Sequence, residues 1–279
     1  MRTPKSRALG RALRQAREDN DLRLRDFAAK LGRDPGMLSR WETGERTPRP
    51  DQVAQILALL GVNGERYEEI IRLTEGTRAS QWLALTLPEQ REQLNTLVDL
   101  EQSATTITEA SPLLIPGLLQ ITPYIRAIMT SGSVPPDETA TRIAIRNGRK
   151  EVLKGHNPVR LVALVGEAAL CQLIGSPEIM AEQLRYLLDA ASWPNVDLRV
   201  IPFSTGWHPG LEGLFQLIES KNATPVVQLE NRRSGLFLHE DDDIDPYRRA
   251  IEMMLRVALN HIDSTDLIAR YANRWETAL

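Results

Sequence analysis

Leu31-Gly32-Arg33-Asp34-Pro35-Gly36-Met37-Leu38-Ser39-Arg40-Trp41-Glu42-Thr43-Gly44-Glu45-Arg46-Thr47-Pro48 is the most informative run in this chain. Gly32 stands where a helix ends, in the left-handed cap position that glycine fills without strain. Asp34-Pro35 opens the next helix, an N-cap carboxylate followed by proline at the first helical position. Leu38 and Trp41, three residues apart, share one buried face. Gly44 stops this helix. A helix over 24–31, with Phe27, Ala28 and Leu31 inward, precedes the run. Two short helices joined by a glycine turn are a helix-turn-helix. Working outward, a helix over 6–19 carries Leu9, Ala12, Leu13 and Ala16 as its apolar stripe. A fourth helix starts at Pro50-Asp51 and buries Val53, Ile56, Leu57 and Leu60, and a fifth covers 65–74. The first 76 residues thus read as an all-α, five-helix head.

The quoted run resembles the helix-turn-helix of Cro and phage repressors, the XRE type, whose pattern is roughly L-G-x-s-x-x-x-x-S-x-(W/I/Y)-E-x-G-x-R-x-P. The resemblance implies that the helix over 34–43 is a recognition helix lying in the major groove of double-stranded DNA. Its outward face carries Gly36, Met37, Ser39, Arg40 and Thr43, with Arg33 just ahead of its start. Arg40 suits a bidentate contact to guanine, and Ser39 can reach a base edge or a phosphate. Arg46 and Arg49 flank the following loop and suit backbone phosphates, which position without specifying. Glu42 is implied to be structural, paired with Arg14 or Arg17. One departure stands out. The family often opens its second helix with Thr-Gln, and here Arg23-Leu24 stands instead, so Arg23 or Arg25 would have to supply that phosphate contact.

Charge supports this division. The net charge of the 279 residues is −3. Residues 1–50 hold 13 Lys/Arg against 7 Asp/Glu, a balance of +6; the other 229 hold 21 against 30, a balance of −9. A basic head on an acidic body points to an anionic partner for the head alone. Hydrophobic content of 42% and charged content of 25% are those of a globular protein. No apolar run approaches bilayer length, so no membrane association is expected. The Arg-rich first thirty residues hold no apolar core, so no secretory signal is expected and the cytoplasm is the expected compartment. The single cysteine, Cys171, excludes a disulfide framework or a thiolate cage.

Residues 77–104 read as a helical linker. Leu94, Leu97, Val98 and Glu101 lie on one side of a helix from Pro88, which could also serve dimerisation. Residues 105–279 alternate strands and helices. Strands are predicted over 105–108, 159–165, 196–201, 214–219, 225–229 and 235–238. Helices are predicted over 123–130, 137–153, 167–173, 177–191, 263–276 and from the Asp245-Pro246 cap to 259. This is an α/β or α+β domain. Its phrases Pro116-Gly117-Leu118-Leu119-Gln120, Gly166-Glu167-Ala168-Ala169-Leu170, Val200-Ile201-Pro202-Phe203 and Gly213-Leu214-Phe215 resemble the domain that follows XRE heads in actinobacterial WhiJ-like, or antitoxin-like, regulators. That resemblance implies a transcriptional regulator with a small acidic partner protein.

Catalytic constellations are missing from the sequence. His156, His208, His239 and His261 have no metal-pair spacing, and no phosphate-binding glycine loop or Gly-x-Ser-x-Gly elbow occurs. The element order is similar to the α/β half of phospholipase D-like folds. The His-x-Lys of that chemistry is absent, so any shared scaffold is degenerate. No enzyme, metal or cofactor is expected. Glu240-Asp241-Asp242-Asp243-Ile244-Asp245 reads as an acidic loop capping a helix, or as a cation or docking site. The loop Phe203-Ser204-Thr205-Gly206-Trp207-His208-Pro209-Gly210 follows a strand. It reads either as a ligand or partner site, with Arg199, Phe203, Trp207, His208, Glu230 and Asn231 converging, or as a tight turn with Trp207 in the core. The expected function is sequence-specific transcription regulation by a homodimer on a pseudo-palindromic operator, controlled by a small-molecule effector or partner. The alternative is an antitoxin-like module that neutralises a partner protein and autoregulates its operon.

Overall fold

The computed structural model describes residues 3–75, 81–84, 87–132, 134–221, 223–231 and 234–278. Five helices come first: α1 (Pro4–Glu18), α2 (Leu24–Lys30), α3 (Pro35–Glu42), α4 (Pro50–Leu59) and α5 (Gly64–Thr74). Strand β1 (Gln81–Ala84) and α6 (Leu87–Gln102) follow. Next come β2 (Thr106–Ser111), α7 (Thr122–Ser131), α8 (Pro136–Arg149), β3 (Arg160–Gly166), α9 (Ala168–Cys171), α10 (Pro177–Ala191) and β4 (Val196–Ile201). The chain ends with β5 (Phe215–Ser220), β6 (Ala223–Asn231), β7 (Ser234–Leu238), α11 (Asp241–Val257) and α12 (His261–Thr277).

The chain forms two compact units, Met1–Asp99 with Asn222–Ile244, and Leu100–Lys221 with Asp245–Leu279. A helical head plus an α/β body is therefore observed. The segment expected as a linker over 77–104 falls mostly within the head's unit, and so do β6 and β7. Strand pairing explains this. β1, at residues read as part of a helical linker, runs antiparallel to β7 with Trp82 opposite Phe237, and their rings lie 5.8 Å apart. β7 pairs antiparallel with β6, Gln228 opposite Phe237. The Gln93 amide donates to the carbonyls of Trp82 and Gly235, fastening α6 to this small sheet.

The helices of the head close around Leu9, Leu13, Phe27, Leu38, Ile56, Leu57 and Ile70, all fully buried. Two glycines set how closely α1 meets α3. A Cβ at Gly10 would stand 2.6 Å from the carbonyl oxygens of Trp41 and Glu42. Gly44, at φ +72°, stops α3 against the backbone of Ser6, whose hydroxyl donates to the Gly44 carbonyl at 2.9 Å.

In the second unit the strand order is β5-β2-β3-β4. β2 is antiparallel to β5 and parallel to β3, and β3 is parallel to β4. The two parallel connections run through α7–α8 and through α9–α10, as parallel pairing demands. Strand β3 is apolar and buried from Leu161 to Val165, the mark of a strand covered on both faces. Polar groups also enter this core. Arg149 on α8 donates two hydrogen bonds, at 2.7 and 2.8 Å, to the fully buried Glu101. Glu109 on β2 accepts from Gln216 at 2.7 Å and from the Gly117 N–H at 3.2 Å. Burial raises its pKa, with those hydrogen bonds and Arg149 pulling the other way.

One expected boundary is corrected. Asp245-Pro246 does not open the helix after β7; α11 starts at Asp241 and contains Pro246. Asp241, Asp242 and Asp243 form its first turn, where carboxylates are favoured by the helix dipole. Pro246 lies inside the helix, in its second turn, and gives up the bond its N–H would have made to the Asp242 carbonyl; the fully buried Ile244 anchors the turn before it.

Candidate nucleic-acid interface

The turn between α2 and α3 follows from its residues. Gly32, at φ +65°, takes the left-handed cap position. The Gly32 N–H donates to the Ala29 carbonyl and the Arg33 N–H to that of Ala28, which closes α2 in a Schellman motif. Asp34 then caps α3, its carboxylate accepting from the Met37 N–H at 3.0 Å. Pro35 occupies the first turn. Leu38, Trp41 and Glu42 form the buried face of α3. The opposite side holds Gly36 and Arg40 exposed and Met37, Ser39 and Thr43 half-buried, with Arg33 exposed ahead of them.

Glu42 fixes the orientation of this helix. Its carboxylate accepts from Arg17 Nε at 2.7 Å and Nη2 at 2.8 Å, both side chains being buried. The remaining Arg17 Nη1 donates to the Leu22 carbonyl at 2.7 Å. A planar guanidinium meeting a carboxylate through two bonds restrains rotation as well as distance. Of the two arginines implied for this pairing, Arg14 instead bonds Glu18 on the surface at 2.8 Å.

The other basic residues divide by role. Arg23, Arg25 and Arg46 are exposed. Arg49 is exposed but tied to Asp51 by hydrogen bonds of 3.0 and 2.8 Å. That pairing holds the Asp51 carboxyl below its ordinary range. Arg11 is drawn inward onto α6, donating to Thr96 at 2.9 Å and lying 3.5 Å from Asp99. Charge counting could not separate it from the outward arginines. Its neighbours on the α1 apolar stripe, Leu9 and Leu13, are the only local sign that this part of α1 is covered.

Residues 8–70 match a helix-turn-helix domain. Residues 94–270, more than half of the chain, match a domain of unknown function, DUF5753. The chain belongs to the DUF5753 family. No curated protein matches it. The helix-turn-helix head makes this DUF5753 protein a DNA-binding regulator. Among the described residues no helix is long and apolar enough to cross a membrane, and no group of three His, Cys, Asp or Glu could hold a metal ion.

The residues expected to converge in the DUF5753 protein's body are drawn from both units. Arg199 on β4 is occupied by Asp197, two residues away on the same face, at 2.9 and 3.1 Å. Glu230 is exposed at the end of β6 and belongs with Asn231 to the other unit; the Asn231 side chain lies outside the described residues. In the loop after β4, Phe203 and Trp207 are 63% and 67% exposed, so Trp207 is not core. His208 and Gly210 are the buried residues of that loop, and burial lowers the His208 pKa. The loop is nevertheless fixed: the Phe203 N–H donates to Glu167 at 2.7 Å. Tyr271 donates to the other Glu167 oxygen at 2.8 Å. Burial and that carboxylate push the Tyr271 phenol up to about 12.

Proposed function

We propose that this DUF5753 protein is a sequence-specific transcriptional regulator that reads a pseudo-palindromic operator as a two-fold dimer. In this reading α3 enters the major groove as XRE-type recognition helices do, Arg40 reads a guanine, and Arg23 and Arg25 at the start of α2, with Arg46, contact phosphates. One observation carries it. Arg40 and Gly36 are exposed on a helix whose opposite face is locked by the Arg17–Glu42 pair. Rigid presentation matters because a bidentate base contact tolerates little angular error.

The body binds rather than catalyses, controlling the head through a small ligand or a partner. Two of its buried carboxylates support this by being held in structural pairings: Glu109 by Gln216 and Gly117, and Glu101 by Arg149. Site selection from random duplexes supplies an operator for the test. Arg40→Ala is then expected to lose about 1–3 kcal/mol of operator affinity and to relax preference at one base pair per half-site. Full affinity with unchanged preference would remove Arg40 from the reading face.

A further inference from the structure

The second unit exposes six large apolar side chains that its fold brings to one end. Phe203, Trp207 and Leu211 lie on the loop after β4 and are 63%, 67% and 55% exposed. Met253 and Val257 on α11 are 44% and 41% exposed, and Ile262 at the start of α12 is 69% exposed. Backbone contacts place these segments together. The Val200 carbonyl accepts from the Leu259 N–H at 2.9 Å, and the Val200 N–H donates to Ser264 at 3.0 Å. The turn between α11 and α12 therefore lies beside the end of β4, where the loop departs. The loop returns onto α11, for a Cβ at Gly210 would come within 2.6 Å of the Met254 sulfur. Met253 and Val257 stand one turn apart on the outer side of that helix.

At about 150–250 Å² for a large apolar residue, these exposures amount to roughly 600 Å². That is at the upper end of what a monomer leaves open. With a polar rim it approaches the roughly 800 Å² per partner of a stable interface. The rim charges favour a particular occupant. Glu252 and Arg256 flank Met253 and Val257 with side chains 66% and 76% exposed. Carrying one charge of each sign, the pair selects neither an acidic nor a basic stranger. Two copies of α11 crossing antiparallel about a two-fold axis would set Glu252 of each against Arg256 of the other, the self-complementarity an isologous contact requires. We infer that this face joins two copies of the chain, α11 against α11, with Trp207 as the central anchor. The inference rests on the two-fold regulator proposed above and names the surface that makes it two-fold.

Sedimentation of the full chain without DNA, at micromolar concentration, tests it. The native protein should be a dimer. Trp207→Ser should weaken the dimer roughly tenfold or more, as loss of an aromatic anchor does. Glu252→Arg and Arg256→Glu should each weaken it by a similar factor, since each sets like charges together. The double exchange should restore it to within a few-fold, with thermal melts of all variants matching the native chain. A native chain that stays monomeric, whether alone or with a different protein occupying the patch, overturns the inference. So does a dimer unmoved by all three single substitutions, or a double exchange no better than the singles. Half-site DNA binding separates the two claims. If the dimer ignores these substitutions while Arg40→Ala still weakens DNA binding, only the surface is lost. If Arg40→Ala leaves binding intact, the reading helix is lost as well.

Discussion

Arg17–Glu42 in the head and Arg149–Glu101 in the body are nearly the same interaction placed in two different architectures. Each is a buried, doubly hydrogen-bonded pair with distances of 2.7 and 2.8 Å. The head pair spans 25 residues and joins two helices of a local bundle. The body pair spans 48 residues, from the end of α6 to α8, with β2 and α7 intervening. The first orients a reading surface, and the second fastens a core whose neighbouring carboxylate, Glu109, is itself fully buried. Identical chemistry thus serves presentation in one unit and packing in the other.

The largest effects should come from breaking these pairs one side at a time. Arg17→Met and Arg149→Met each strand a buried carboxylate and should cost about 3–5 kcal/mol. Hydrogen exchange resolved by segment distinguishes them. Arg17→Met should deprotect α1–α3 first, and Arg149→Met should deprotect α8, β2 and only the last residues of α6, beyond Asp99. If either substitution opens both units together, the comparison fails, because stability would not be held separately.

Glycines sharpen the contrast at a smaller scale. Gly10→Ala drives a methyl group against two carbonyl oxygens of α3 and should cost about 1–3 kcal/mol, read as a lower melting temperature. Gly117→Ala, in the body, meets nothing within 4 Å and should change stability by less than about 0.5 kcal/mol. Gly10→Ala should also weaken operator binding if it displaces α3, a consequence Gly117→Ala should not share.

The two units also differed in how much of them could be read in advance. In the head, Gly32, Asp34-Pro35 and Gly44 act on their own neighbours, so helix ends fell within a residue or two and Glu42 came with its motif. In the body, α10 and β4 ended where their patterns did, at Pro177–Ala191 and Val196–Ile201. Long-range pairing was hidden. Trp82 looked like one more apolar residue of a linker because its partner, Phe237, lies more than 150 residues away on β7. Glu101 was placed on the apolar side of its helix, yet nothing local names Arg149 as the reason a carboxylate is there. The acidic run of α11 misled because Pro246 resembles a helix start, whereas the dipole lets the preceding aspartates begin the helix. Trp207 could be read as core because residue type alone does not say which side of a loop faces water. Met253 and Val257 do carry a signal, four apart with Glu252 and Arg256 beside them, though that spacing suits a buried stripe equally well.

Within the interface, Arg46 and Arg49 offer a finer distinction. Both were assigned to phosphates, but Arg49 is already held by Asp51. Arg46→Ala should weaken binding evenly across sequences and reduce the slope of log affinity against log salt by about one. Arg49→Ala should reduce it by less, because Asp51 neutralises the charge it removes. Asp51→Ala should steepen the slope by freeing Arg49. Equal slopes for the two arginine variants would show that DNA displaces Asp51 completely.

The smallest expected effect is in pH, and it too compares the units, since each buries one histidine. His239, in the head's unit, is 2% exposed and neither ring nitrogen has a hydrogen-bond partner among the described residues. Burial lowers its pKa, and Glu240 and Asp243 only partly oppose that. His208, in the body, is lowered by burial alone. A histidine held neutral in the folded state binds fewer protons there than in the unfolded chain. Its contribution to stability is therefore complete above the unfolded value near 6.5 and is lost as pH falls from there toward the folded value. Glu109 works in the opposite sense. With its folded pKa raised, the folded state takes up a proton first and gains stability as pH falls toward the ordinary carboxylate range. Urea unfolding between pH 7.5 and 5.5 should show stability declining. His239→Leu should flatten that decline for segments of the head's unit and His208→Leu for segments of the body, whatever each does to stability at pH 7.5. Glu109→Gln should make the acid side steeper. An unchanged slope in either histidine variant would mean that ring is already as easily protonated in the fold as in the unfolded chain, with water reaching a nitrogen the packing otherwise seals.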